Sequence, residues 1–192
     1  MMDANHPGAL QGARMKKEGP MSFREVPVES LSFNPFGKIS KEWMLVTAGT
    51  PERVNTMTAS WGAVGVWWGK PAATCYIRET RYTKEFVDVN DRFTLSFFGD
   101  GCRDALKLCG AVSGRDRDKI AEAGLTVAFD GDAPYFEQAR TVFVCRKALA
   151  LPMPKDSFVD ADAYDNWYTK GALADNFHTM YIGTIEKVLV RD

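Results

Sequence analysis

The chain has 192 residues, with 24 Lys and Arg against 25 Asp and Glu, for a formal net charge of −1. That balance excludes the strongly basic surface of a nucleic-acid binder, and 45% hydrophobic with 26% charged residues is the composition of an ordinary globular domain. A domain of this length buries about 70% of the surface its unfolded chain exposes, so it needs no metal or disulfide staple.

Residues 1–20 are rich in Gly, Pro, Asn and Lys and show no periodicity, which predicts a flexible arm ahead of a single domain over 21–192. Strand patterns follow at 43–48, 55–61, 72–77, 92–98, 125–129, 141–149 and 177–190, and Gly183 marks a bulge or bend in the last. In the 92–98 run, Phe93, Leu95 and Phe97 take one face and Thr94 and Ser96 the other. Short helices are predicted at 83–87 with Thr83 as N-cap, at 103–109 ending at Gly110, and at 116–123; a fourth falls within 157–170. Many strands, few helices and no regular βαβ alternation predict a mainly β fold, a β-barrel with helical insertions.

Several chemistries are excluded. No apolar run approaches the roughly 20 residues of a membrane helix. The N-terminus has no signal-peptide pattern, so a cytoplasmic location is expected. Cys75, Cys102, Cys109 and Cys145 form no CxxC spacing and are expected to be reduced and mostly buried. His6 and His178 are the only histidines, too few for a multi-His metal site. No GxSxG presents a nucleophilic serine, and no GxGxxG follows a strand. Residues 65–71 (Gly-Val-Trp-Trp-Gly-Lys-Pro) are one residue short of a P-loop and have Pro where Ser or Thr should hold magnesium.

Three segments carry candidate chemistry. Arg78-Glu79-Thr80-Arg81-Tyr82-Thr83-Lys84 lies between a predicted strand and a predicted helix. Guanidinium groups beside a helix N-terminus suit a phosphomonoester, whereas the plain alternative is a solvated turn. Asn55 to Gly62 alternates hydroxyls on a strand that a flat ring could approach, or that simply faces solvent. His178 opens the last strand, with an ordinary pKa near 6.5 that would let it titrate near neutrality. Trp67 and Trp68 are read as core or interface, and Cys145 as core.

Taken in order, Phe33-Asn34-Pro35, Trp43 to Gly49, Asn55 to Gly62, Arg78 to Thr83, Phe93 to Phe98 and His178 to Ile185 resemble the flavin reductase-like family of FMN-binding split barrels, and within it the flavoredoxin-like branch. The resemblance covers residues 21–192. It implies a homodimer of six-stranded Greek-key barrels with FMN near the dimer interface. Thr56, Met57, Thr58, Ala59, Ser60 and Trp61 would flank the flavin ring. Arg78, Thr80, Arg81 and Thr83 would hold the phosphate with Tyr82 beside them, and Ser96 and Phe97 would lie next to the cofactor. His178 would sit at the open side, as the candidate catalytic residue. The implied activity passes electrons from NADH or NADPH through FMN to a small-molecule or protein partner. No nucleic acid, membrane or metal partner is expected. The alternatives are a non-catalytic FMN electron carrier and a barrel binding another ligand such as haem. Asp175-Asn176-Phe177 stands where many reductases of the family have Gly-Asp before the histidine.

Overall fold

The computed structural model describes residues 22–191; the arm expected over 1–20 lies outside them. Along the chain come β1 (Arg24–Val26), α1 (Pro35–Gly37), β2 (Met44–Thr50), β3 (Arg53–Ala59), β4 (Gly62–Trp67) and β5 (Lys70–Arg78). These are followed by α2 (Tyr82–Val89), β6 (Arg92–Phe97), α3 (Arg103–Ala111), α4 (Lys119–Glu122), β7 (Val127–Asp130), β8 (Ala133–Phe136), β9 (Thr141–Pro152), α5 (Ala161–Tyr168) and β10 (His178–Val190). Eight strands form one antiparallel sheet in the order β3-β2-β6-β9-β10-β5-β4, with β1 added to β10, and β7 and β8 form a separate hairpin. Neighbours in the sheet are mostly not neighbours in sequence. This is the Greek-key split barrel of the expected mainly β class, with more strands than the six that the resemblance implies, β1 and β4 lying on its edges.

Period-2 alternation divides the apolar side chains between two cores. Met44, Val46 and Ala48 of β2, Phe143 and Cys145 of β9 and Phe93, Leu95 and Phe97 of β6 point into the barrel. Leu45, Val142 and Val144, from the same strands, pack outside it with Leu106 and Cys109 of α3 and Phe136 of β8. The central strands are therefore buried on both faces, and α3 and the β7–β8 hairpin cover what would otherwise be exposed apolar sheet. Cys75, Cys109 and Cys145 are buried free thiols; burial pushes Cys75 up to about 12 and Cys109 up to about 11.

The long β10 strand organises the barrel. Its first half pairs with β5, its end pairs with β1, and β9 runs beside both parts. The β9–β10 register shifts between Ile182 and Gly183, the irregularity that Gly183 predicts. A Cβ at Gly183 would stand 2.7 Å from Cβ of Cys145 and 2.8 Å from Cζ of Phe93, so the Phe93 ring closes against bare backbone.

Four expectations are corrected. Residues 62–67, for which no strand is predicted and whose last three belong to the 65–71 stretch that fails as a P-loop, form edge strand β4. Trp67 and Trp68, read as core or interface, are 46% and 60% exposed, which removes the core alternative only. The helix expected at Thr83 starts at Tyr82 with Arg81 as N-cap and no side-chain cap, because the Thr83 hydroxyl instead accepts from Asn55 Nδ2 at 2.9 Å. Gly110 lies inside α3, which continues to Ala111 and stops at extended Val112.

Candidate functional site

Strand pairing builds the site. His178 lies directly opposite Arg78 across the β10–β5 ladder, and Met180 opposite Tyr76. Ile77 and Cys75 point into the barrel, so Arg78 and Tyr76 face outward. They open onto a cleft of ≈310 Å³ lined by Met57, Thr58, Ala59, Ser60, Trp61, Tyr76, Arg78, Arg81, Trp167, Leu173 and His178. The volume is at the small end of the range of about 300–1,000 Å³ for small-molecule sites. A second, more apolar cavity of ≈470 Å³ shares Ser60, Trp61 and Tyr76 and runs on to Phe36, Ile39 and Val64.

Arg78 and Arg81 make one end of the cleft cationic, and Lys119, near Arg81, is buried and lines the neighbouring cavity instead. Arg81 Nη1 donates to Gly110 O at 2.8 Å, and Lys119 Nζ to Cys109 O at 3.1 Å and Val112 O at 3.0 Å. Both cations thus cap the last carbonyls of α3, where orphan acceptors and the negative end of the helix dipole coincide. Arg78 Nη1 donates to Asn176 O at 2.5 Å and Nη2 to Trp167 O at 3.1 Å, with the guanidinium 5.1 Å from the Tyr168 ring. Among the described residues, none of the three has a carboxylate partner. Burial lowers all three pKa values, and mutual repulsion adds to this at Arg78 and Lys119. Further N–H donors on both guanidinium groups stay available.

The other end is aromatic. Trp61 lies 5.0 Å from His178 and meets Trp167 edge-on at 4.7 Å. His178 Nδ1 is 2.6 Å from the Tyr168 hydroxyl. Burial, followed by the nearby charges of Arg78 and Arg81, depresses the imidazole pKa to about 4. The expectation of a histidine titrating near neutrality is corrected: His178 is uncharged at pH 7. The α5 segment covers this end, tied to the loop after β5 by Asn176, whose Nδ2 donates to Thr80 Oγ1 at 2.7 Å.

The candidate residues separate into two groups. Met57 to Trp61, Arg78, Arg81 and His178 come together around the cleft. The Thr56 and Thr58 hydroxyls serve the fold, donating to Val46 O at 3.0 Å and Leu106 O at 2.5 Å, and Thr56 does not line the cleft. Thr80 accepts from Asn176, and Tyr82 and Thr83 pack beneath the helix, Tyr82 facing a separate ≈430 Å³ cavity with Arg53 and Arg115. Ser96 and Phe97 do not reach the cleft. β6 is central, between β2 and β9, so both its faces are buried, and Ser96 Oγ is enclosed without a hydrogen bond among the described residues. Sequence reading missed Tyr76 and Trp167, which line the cleft, and Tyr168 and Asn176, which hold His178 and Arg78. Only Tyr76 had a local signal, two residues before Arg78 on the same strand face.

A family model described as flavin reductase like domain matches residues 36–192. The chain belongs to that family. Comparison with curated proteins finds no significant match. Among solved structures, this flavin reductase-like chain is similar to a flavoredoxin from Methanosarcina acetivorans, at 20% identity over 77% of this chain and 67% of that one, TM-score 0.60. It is also similar to an FMN-binding domain of a flavin reductases-like enzyme from Shewanella baltica, at 14% identity over 90% and 79%, TM-score 0.63. A third is an NADH:FAD oxidoreductase from Streptomyces globisporus, at 15% identity over 82% and 81%, TM-score 0.58. At these identities the solved structures attest the flavin reductase-like fold.

Proposed function

We propose that the chain is an FMN-binding oxidoreductase of the flavin reductase type, with NADH or NADPH as the source of reducing equivalents and a small molecule or a protein as acceptor. The observation that carries this reading is the pair of Arg78 and Arg81, held by carbonyls rather than carboxylates at one end of an aromatic-walled cleft. Buried positive charge without an acidic partner is costly unless an anion completes it. The residues fit FMN: Arg78 and Arg81 have spare donors for a phosphate, and the β3 end from Met57 to Trp61, with Tyr76 and His178, walls a space for a flat ring. Bound FMN would supply reversible two-electron chemistry. The chain itself binds the anion, orients the ring and, through Trp61 and Trp167, keeps water from one end of the cleft. A homodimer through the exposed edge strand β4 and a cytoplasmic location complete the proposal.

A second reading, an FMN electron carrier, draws support from α5. Its Trp167 already stands against Trp61, which narrows the approach for a nicotinamide. Anaerobic titration of the flavin-loaded protein with NADH and NADPH tests the two. Bleaching of the visible flavin band by either nucleotide supports the oxidoreductase; no bleaching by both, with bleaching by dithionite, supports the carrier.

A further inference from the structure

His178 and Tyr168 form a pair whose protons can be assigned. Tyr168 ends α5 and is 2% exposed, and its hydroxyl has a single hydrogen-bond partner among the described residues, His178 Nδ1 at 2.6 Å. A phenol holds its proton near neutrality, and burial raises the Tyr168 pKa further. A buried O–H needs an acceptor, and Nδ1 is the one it has. Were Nδ1 to carry the hydrogen instead, the phenol proton would be left without a partner. The neutral imidazole therefore holds its hydrogen on Nε2. Nε2 makes no hydrogen bond within the described residues and is not enclosed by them, and His178 lines the cleft. Trp61 against one ring face, tilted by 38°, and Tyr168 edge-on at 89° hold the ring orientation.

We propose that Tyr168 is a positioning residue that fixes His178 as its Nε2–H tautomer, so that the cleft presents a neutral N–H donor to a hydrogen-bond acceptor, a carbonyl oxygen or unprotonated ring nitrogen, on the bound ligand. This deepens the proposed function by naming the ligand edge that His178 reads, and its ligand part rests on that reading; the tautomer itself does not. Groups facing the imidazole favour the same state. Arg78, on the adjacent strand and over the Tyr168 ring, and Arg81 beyond it both oppose a positive ring, and no carboxylate contributes at His178. A ligand presenting an N–H or O–H to Nε2 would meet donor against donor, which a desolvated site penalises.

The test is a long-range ¹H–¹⁵N correlation spectrum of the ¹⁵N-labelled, flavin-free protein at pH 7.5, with the His178 signals identified by their loss in His178→Gln. The expected spectrum shows Nε2 in the protonated and Nδ1 in the unprotonated shift range. Protonated Nδ1, or two nitrogens averaged between the ranges, overturns the assignment in the wild-type chain without any variant. Tyr168→Phe keeps the ring and removes the hydroxyl. It is expected to move the ring toward tautomer averaging and to weaken FMN binding about 2- to 10-fold, one neutral hydrogen bond's worth of orientation. An unchanged tautomer pattern or unchanged affinity in Tyr168→Phe overturns the positioning role. If the wild-type chain shows the Nε2–H pattern yet takes up no FMN, the tautomer assignment is upheld and the flavin reading is the one that fails.

Discussion

His178 illustrates how burial changes what a residue type can do. Near the surface its imidazole would gain a proton just below neutrality; beside Arg78 and Arg81 it does so only near pH 4. The sign of the linkage follows. Between about pH 6.5 and 4 the unfolded chain binds a proton at this ring and the folded chain does not, so stability falls as pH falls through that window. Urea midpoints measured at pH 7 and pH 5 should differ more for the wild type than for His178→Gln; equal differences would contradict the neutral buried ring. The arginines make a separate prediction. Arg78→Ala and Arg81→Ala each remove a charge-assisted donor, a loss of about 1.5–3 kcal/mol in FMN binding, or roughly ten- to over a hundredfold in Kd. Fluorescence titration of FMN reads this directly. Arg78→Ala should also loosen the 167–176 segment, because its guanidinium ties Trp167 O and Asn176 O to β5.

At the scale of elements, β10 is the strand on which the rest depends, and its bulge is its weak point. Gly183→Ala puts a methyl within 2.7–2.9 Å of Cys145 and Phe93, and overpacking of this kind costs about 1–3 kcal/mol. A urea denaturation curve unchanged by the substitution would mean that the ladder can slide to admit it. Gly183 is also where the sequence was most legible, since a glycine within a β-rich run has few other uses. The central strands were readable as apolar, β-rich runs, with clear alternation in 92–98, because burial on both faces leaves β2 and β9 apolar on both. β4 was not readable, because an edge strand with both faces largely exposed has no apolar period to betray it. Ser96 and Phe97, which the family resemblance sets next to the cofactor, lie in a strand buried on both faces and do not line the cleft. Tyr168 and Asn176 do not line the cleft but hold His178 and Arg78, which do, through long-range packing of the α5 segment, and no local pattern announces such contacts. The Arg78–Arg81 pair was legible as a charged cluster at a strand-to-helix junction, but its bonds to Asn176 O, Trp167 O and Gly110 O were not, because they reach segments far away in sequence.

At the scale of the whole molecule, one face stands out. β4 is an edge strand that exposes Val66 and Trp67, with exposed Trp68 in the turn after it, and Phe36 borders the apolar cavity beside it. An exposed apolar edge favours pairing with another chain. The proposed homodimer should therefore dissociate in Trp67→Lys/Trp68→Lys, read as a halved mass by light scattering after gel filtration; a dimer that survives these changes would place the interface elsewhere. The cleft borders the same face through Ser60 and Trp61, so loss of the dimer should also weaken ligand binding. The proposed function rests on the claim that Arg78 and Arg81, at the cationic end of the aromatic cleft, hold a flavin phosphate. Titrating FMN into the wild-type protein and into Arg78→Ala/Arg81→Ala tests that claim most directly. Saturable uptake of one FMN per chain, lost in the double variant while riboflavin binding changes little, is the predicted result. No uptake by the wild type, or equal FMN affinity in the two proteins, would contradict it.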